Sequence, residues 1–154
     1  VNSMAFGLAK GAAVMVDAMK RLDPELRNAV TLELFNLPPN LTVDALGKIT
    51  IPILPFFDKY IAEPSRGYWN FDLFTNLNFL GVTLDLGGHD RPIDEALMEL
   101  MDFWSMATAA RLGLFVKGIE DRNLLETAQR YEAAGVDGPL IGKETETLGV
   151  QTEG

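Results

Sequence analysis

The apolar residues of this chain recur mostly every three or four positions, which is the spacing of amphipathic helices. This pattern covers residues 3–21, 91–117 and 120–134, with most charged side chains on the opposite side of each helical wheel. The signal is strongest over 91–117, where a proline at the first position, two acids in the first turn and a glycine after the end are typical helix boundaries. The pattern therefore predicts a mainly α protein.

Proline interrupts the chain between residues 23 and 66. An aspartate followed by a proline is a typical N-cap and first helical residue, and predicts a helix from Asp23 to about Phe35. The later prolines leave room only for short helices, which we predict at 43–48 and 55–62. We expect this middle part to wrap across other elements.

Residues 67–80 carry aromatic side chains interleaved with Asn, Asp and Thr, and they fit two periodicities. As a strand, the segment alternates apolar and polar residues and continues after Gly81 to complete a short β-hairpin over 68–86. As a helix, it is apolar on two sides, and the second side requires a partner. The helical context favours the helix. The aromatic residues are then candidate contacts with another subunit: Tyr68, Trp69, Phe71, Phe74 and Phe79.

Two residues of the predicted helix at 91–117 join this candidate interface. Trp104 lies in the apolar stripe of the helix, and Arg111 falls in the middle of that stripe. The simpler interpretation of Arg111 is a packed stem with its charged end in water. The alternative is a planar guanidinium that binds a partner carboxylate at a subunit contact.

The length of 154 residues fits one domain with a sizeable core. We predict a compact helical domain over residues 1–136, with the proline-punctuated segment in its middle. Residues 137–154 contain few apolar anchors, so we predict an extended C-terminal arm that docks on a neighbouring subunit.

The net charge of −9 is distributed unevenly along the chain. Residues 1–66 carry seven basic and seven acidic side chains, whereas residues 67–154 carry six basic and fifteen acidic ones. This excess of carboxylates opposes contact with nucleic-acid phosphates, so no nucleic-acid partner is expected. An acidic surface suits solvation or contact with a basic partner.

The sequence shows neither a basic leader before an apolar run nor a segment of about 20 apolar residues, so we expect a soluble protein made in the cytoplasm. An interfacial membrane helix at residues 3–21 is the alternative, although its three basic residues and single aromatic residue support it weakly. Incorporation into a virion or another large assembly is also consistent with these features.

The chain offers little recognisable chemistry, since it has no cysteine, no phosphate-binding glycine loop and no serine hydrolase turn. The only histidine, His89, precedes Asp90 and Arg91, and these three form the candidate polar site. A loop that caps the next helix through Asp90 is the simpler interpretation, because a catalytic histidine requires an oriented partner. We predict no enzymatic activity, no cofactor and no metal.

These observations favour a non-enzymatic structural subunit that self-associates into a larger homo-oligomer or shell, with a capsid or virion shell as one setting. The alternative is a helical carrier that encloses an apolar ligand among Trp69, Trp104 and phenylalanine side chains. An enzyme that uses His89 and Asp90 is a more distant hypothesis.

Overall fold

The computed structural model of the chain describes residues 17–29, 31–57, 59–67, 69–88 and 90–141. Its sheet has five parallel strands that pair in chain order. The strands are Leu32–Leu34 (β1), Tyr60–Ala62 (β2), Phe79–Asp85 (β3), Gly113–Lys117 (β4) and Gly135–Val136 (β5). The described helices are Pro24–Ala29 (α1), Val43–Thr50 (α2), Asp72–Thr75 (α3), Ile93–Ala109 (α4) and Arg122–Arg130 (α5).

This α/β architecture shows that the mainly α prediction is wrong. Each of three segments predicted to be helical contains a strand, namely β1, β2 or β4. Strands that are buried in a parallel sheet are short apolar runs, and a run of three to five residues is too short for its periodicity to distinguish a strand from a helix.

The β-hairpin predicted over 68–86 is also wrong. The segment contains the short helix α3, a turn at Asn78 with a φ of 59°, and then β3. β3 pairs in parallel with β2, which places Phe79 beside Tyr60 and Val82 beside Ala62. Asparagine tolerates this left-handed turn better than most residues, so it joins the helix to the strand at a low conformational cost.

Several helix boundaries agree with the sequence pattern. Asp23 accepts a hydrogen bond from the Glu25 amide at 2.9 Å, as expected of an N-cap at the start of α1. The helices predicted at 43–48 and 120–134 are confirmed as α2 and α5. Of the helix predicted at 3–21, residues 17–20 are helical and residues 3–16 lie outside the described residues.

The chain divides into two compact units between Val82 and Thr83, which we call unit 1 and unit 2. In unit 1 an aromatic cluster lies in the core. The ring of Phe79 contacts Phe74 edge to face, with centroids 5.2 Å apart, and lies 5.8 Å from the ring of Tyr60. All three side chains are buried, so these rings stabilise unit 1.

In unit 2 the helix α4 contacts both β4 and α5. Its buried face consists of Ala96, Leu100, Phe103 and Ala107. These residues repeat every three or four positions, as the apolar stripe of the sequence predicts. No helix among the described residues has both the length and the apolar character required to cross a membrane.

Two loops of unit 2 touch at the carboxyl ends of β3 and β4. Gly118 has a φ of 72°, and a Cβ atom on it would lie 2.2 Å from the amide nitrogen of Gly87. Only glycine allows both this backbone conformation and this close approach.

We expect Gly118→Ala to lower the free energy of unfolding by roughly 3 kcal/mol, because the added methyl group meets backbone atoms in a strained conformation. Gly88→Ala is the matched control, since Gly88 has a φ of 71° with no atom within 4 Å of the added Cβ. It should lose only about 1 kcal/mol. Urea unfolding of both variants measures the difference, and equal losses would contradict the packing argument.

Candidate functional site

The main candidate site is an open cleft in unit 2 with a volume of about 430 Å³. Helices that connect parallel strands return the chain to the sheet edge where the next strand begins. The carboxyl ends of α4 and α5 therefore lie beside the start of β4. The cleft is lined by the first residues of β4 and by six residues from these helix ends: Trp104, Thr108, Arg111, Arg130, Tyr131 and Glu132. We call it the arginine–aromatic cleft.

Both helix ends at the cleft close with the same hydrogen-bond pattern. At the end of α4 the amide of Arg111 donates to the carbonyl of Thr108, and the next amide donates to the carbonyl of Ala107. At the end of α5 the amide of Glu132 donates to the carbonyl of Gln129, and the next amide donates to that of Ala128. These are Schellman motifs, which place one residue of each turn in the left-handed conformation.

The residue in that conformation is not glycine in either motif. Arg111 has a φ of 59° and Glu132 a φ of 54°. Glycine is the usual residue there, because a side chain in this conformation costs about 1 kcal/mol. Both strained residues line the cleft. Strain that persists at a surface cleft is an observation from which a functional role can be proposed.

The aromatic part of the cleft is a stacked pair. The rings of Trp104 and Tyr131 lie 4.3 Å apart between centroids, with 9° between their planes. Both residues are half-buried. Stacking fixes the two rings against each other, so they present a rigid apolar surface at a low cost in side-chain entropy.

The charged part of the cleft consists mainly of two arginines. Arg111 and Arg130 are exposed and lie at the carboxyl ends of their helices, where the helix dipole favours a cation. Among the described residues neither arginine forms an ion pair. With one carboxylate, from Glu132, the cleft has an excess of positive charge and suits a ligand that carries carboxylates.

The structure thus brings together two of the predicted interface residues, Trp104 and Arg111. In unit 1 Trp69 is half-buried, whereas the side chains of Phe71, Phe74 and Phe79 are buried in the core. Tyr68 lies outside the described residues.

The sequence pattern does not indicate Arg130 as a cleft residue, and the apolar spacing of the predicted helix at 120–134 places Tyr131 on its inward face. The pattern contains a signal for both, because each follows the last apolar residue of α5, close to its carboxyl end. Recognising their role requires knowing that this end lies beside that of α4.

The predicted polar site does not assemble in the described residues. His89 lies outside them, and Asp90 is exposed and makes no cap hydrogen bond to α4. Arg91 instead forms a largely buried ion pair with Glu99, in which the Nη1 atom contacts the carboxylate. The Nε and Nη2 atoms of Arg91 are buried without a hydrogen-bond partner. The ion pair between Arg91 and Glu99 therefore attaches the segment before α4 to that helix.

The carboxyl edge of a parallel sheet is the usual position of a ligand site. At this edge of unit 2, Asp85 accepts a hydrogen bond from the amide of Gly87 at 2.9 Å, and Asp137 accepts one from Gly138 at 2.8 Å. Their carboxylates therefore hold the loops that follow their strands. No group of three or more acidic or histidine side chains in the described residues is arranged to hold a metal ion.

Comparison with known protein families, with curated proteins and with solved structures finds no match to this chain. Neither the structure nor these comparisons support a capsid or virion shell. The parallel sheet contradicts the prediction of an all-α protein.

We expect Glu99→Gln to lower the free energy of unfolding by about 2 kcal/mol, since it leaves the guanidinium of Arg91 largely buried without its counter-charge. The control is Lys48→Met, which removes an exposed pair with Asp44, whose side chain is 80% accessible. The pKa of Lys48 is raised because its amine donates to Asp44 and lies beside that charge. Urea unfolding should detect the first loss and no change in the control; equal effects would show that the burial of the Arg91 pair has no consequence.

Proposed function

We propose that this chain is a non-enzymatic assembly subunit that associates with copies of itself, and that the arginine–aromatic cleft is its contact surface. The observation that carries the proposal is that the stacked pair of Trp104 and Tyr131 lines one cleft together with two exposed arginines. Tryptophan, tyrosine and arginine are the residues that most often dominate the binding energy of protein interfaces.

The chemistry of the cleft defines what a partner must supply. The rings offer apolar area that is already ordered, so binding to them requires little further loss of side-chain freedom. Each guanidinium offers parallel N–H groups that match the two oxygens of a carboxylate. A peptide segment with acidic side chains and at least one apolar side chain meets both requirements.

A second copy of this chain supplies such a segment. The net charge is −9, and the whole excess lies in residues 67–154. The acidic surface of a second copy is therefore complementary to the two arginines of the cleft. Such charge complementarity determines which surfaces meet, and it also accelerates the encounter.

The cleft supports the carrier alternative less well. A site for an apolar ligand is normally enclosed and mostly apolar, whereas this cleft is open and bordered by Arg111, Arg130 and Glu132. An enzyme would require a positioned acid, base or nucleophile, and no hydrogen bond in the described part of the chain orients the one carboxylate of the cleft, that of Glu132.

We expect the natural chain to form a species larger than 16.9 kDa at micromolar concentration, as measured by light scattering after size exclusion. Arg111→Glu combined with Arg130→Glu should raise the dissociation constant at least tenfold, because two attractive charges become repulsive. The control is Lys20→Glu with Arg21→Glu, which changes the charge equally at exposed residues outside the cleft. A natural chain that is monomeric would overturn the proposal.

Arg111→Gly should change the free energy of unfolding and the strength of association in opposite directions. The substitution relieves the left-handed strain and should raise the free energy of unfolding by roughly 0.5–1 kcal/mol, while association weakens. Glu132→Gly makes the same backbone change in the other Schellman motif, so it should raise stability without weakening association. If Arg111→Gly associates as well as the natural chain, the guanidinium has no role in the contact.

A further inference from the structure

We propose that residues 142–154 of one copy bind in the arginine–aromatic cleft of a neighbouring copy, so that subunits join head to tail. This inference rests on the proposed function and names the segment that occupies its contact surface.

The residue that precedes the segment, Ile141, lies at the end of β4 opposite to the cleft. The amide of Asp137 donates to the carbonyl of Val116 at 2.9 Å, and that of Leu140 donates to Ile119 at 3.2 Å. The chain up to residue 141 is therefore anchored at the carboxyl end of β4. The cleft contains Gly113, the first residue of β4. The four residue steps of this strand separate the two places by about 13 Å.

The reach of the segment favours a neighbouring copy over its own cleft. Its first acid, Glu144, follows residue 141 by three positions, which spans about 10 Å when fully extended. This is shorter than β4 alone, so the backbone of Glu144 does not extend to the cleft of its own unit, whereas the backbones of Glu146 and Glu153, five and twelve positions after residue 141, do. The cleft of a second copy is not limited by this tether, so all three acids can contact it.

The composition of the segment matches the cleft. It carries Glu144, Glu146 and Glu153 against the single basic residue Lys143, and it contains Leu148 between the acids. Carboxylates are the groups that a guanidinium binds with two parallel hydrogen bonds. Leucine is an apolar side chain of a size that packs on the stacked rings of the cleft.

Such a contact joins two different surfaces of the same chain. A heterologous contact of this kind closes into a ring or extends as a filament, whereas a contact between identical surfaces stops at a dimer. The average mass in solution should therefore rise continuously with concentration unless a ring of defined size forms.

Complementation between two full-length variants tests the inference. The arm variant carries Glu144→Gln, Glu146→Gln and Glu153→Gln with its cleft intact. The cleft variant carries Arg111→Glu and Arg130→Glu with its arm intact. Each variant alone should be monomeric by light scattering, and an equimolar mixture should form a one-to-one dimer, because one intact arm meets one intact cleft. Cooperative urea unfolding of each variant verifies that it is folded.

A control variant removes the same number of charges elsewhere in unit 2. Asp102→Asn, Glu120→Gln and Glu126→Gln neutralise three carboxylates that lie outside both the arm and the cleft. This variant should associate like the natural chain. If it loses association as the arm variant does, general acidity and not the arm is the determinant, and the inference is overturned.

The remaining outcomes distinguish this inference from the proposed function. If the natural chain associates and the arm variant associates equally well, the proposed function stands and the arm is not the occupant. If the natural chain and both variants are monomeric, alone and mixed, both proposals fail. A mixture that stays monomeric while the natural chain associates overturns the head-to-tail contact alone.

Discussion

Parallel pairing of the strands is the constraint on which the rest of this structure depends. A parallel strand cannot be reached by a tight turn, so the chain must cross back over the sheet before each new strand begins. In unit 2 the crossovers are α4 and α5, and both end at the sheet edge where the next strand starts. The helix ends that form the arginine–aromatic cleft are brought together by this requirement. The cleft is thus a consequence of the topology, while its chemistry depends on the residues that occupy the two Schellman turns.

In both Schellman turns, the residue that the backbone conformation favours differs from the residue that is present. The hydrogen bonds of each motif require one left-handed residue, and glycine would fill that position with the least strain. Here Arg111 and Glu132 fill it instead, and both side chains face the same cleft. The buried residues around them, such as Leu112 and Ala107, stabilise the turns enough for the strain to persist. The proposed contact gives a physical reason for Arg111 at its position, whereas nothing in the structure explains the choice of Glu132.

The sequence predicted the helices better than the strands, and the reason is length. The stripe of α4 repeats over 17 residues, and its buried face follows the predicted spacing. By contrast β1 has three residues and β5 has two, which is too few to define any period. Arg111 was the clue to the missed strand β4. It interrupts an apolar stripe because the stripe there passes from helix to strand, and Arg111 occupies the turn between them.

The candidate site was only half visible in the sequence for a related reason. Trp104 and Arg111 lie close together along the chain, whereas Arg130 and Tyr131 join them only because α5 packs beside α4. The direction of the parallel strands then gives unit 2 two chemically different ends. One end holds the cleft with its arginines, and the residue that precedes the acidic segment, Ile141, lies at the other. The proposed contact between an arm and a cleft therefore joins two different surfaces of the same chain, and such a contact is directional.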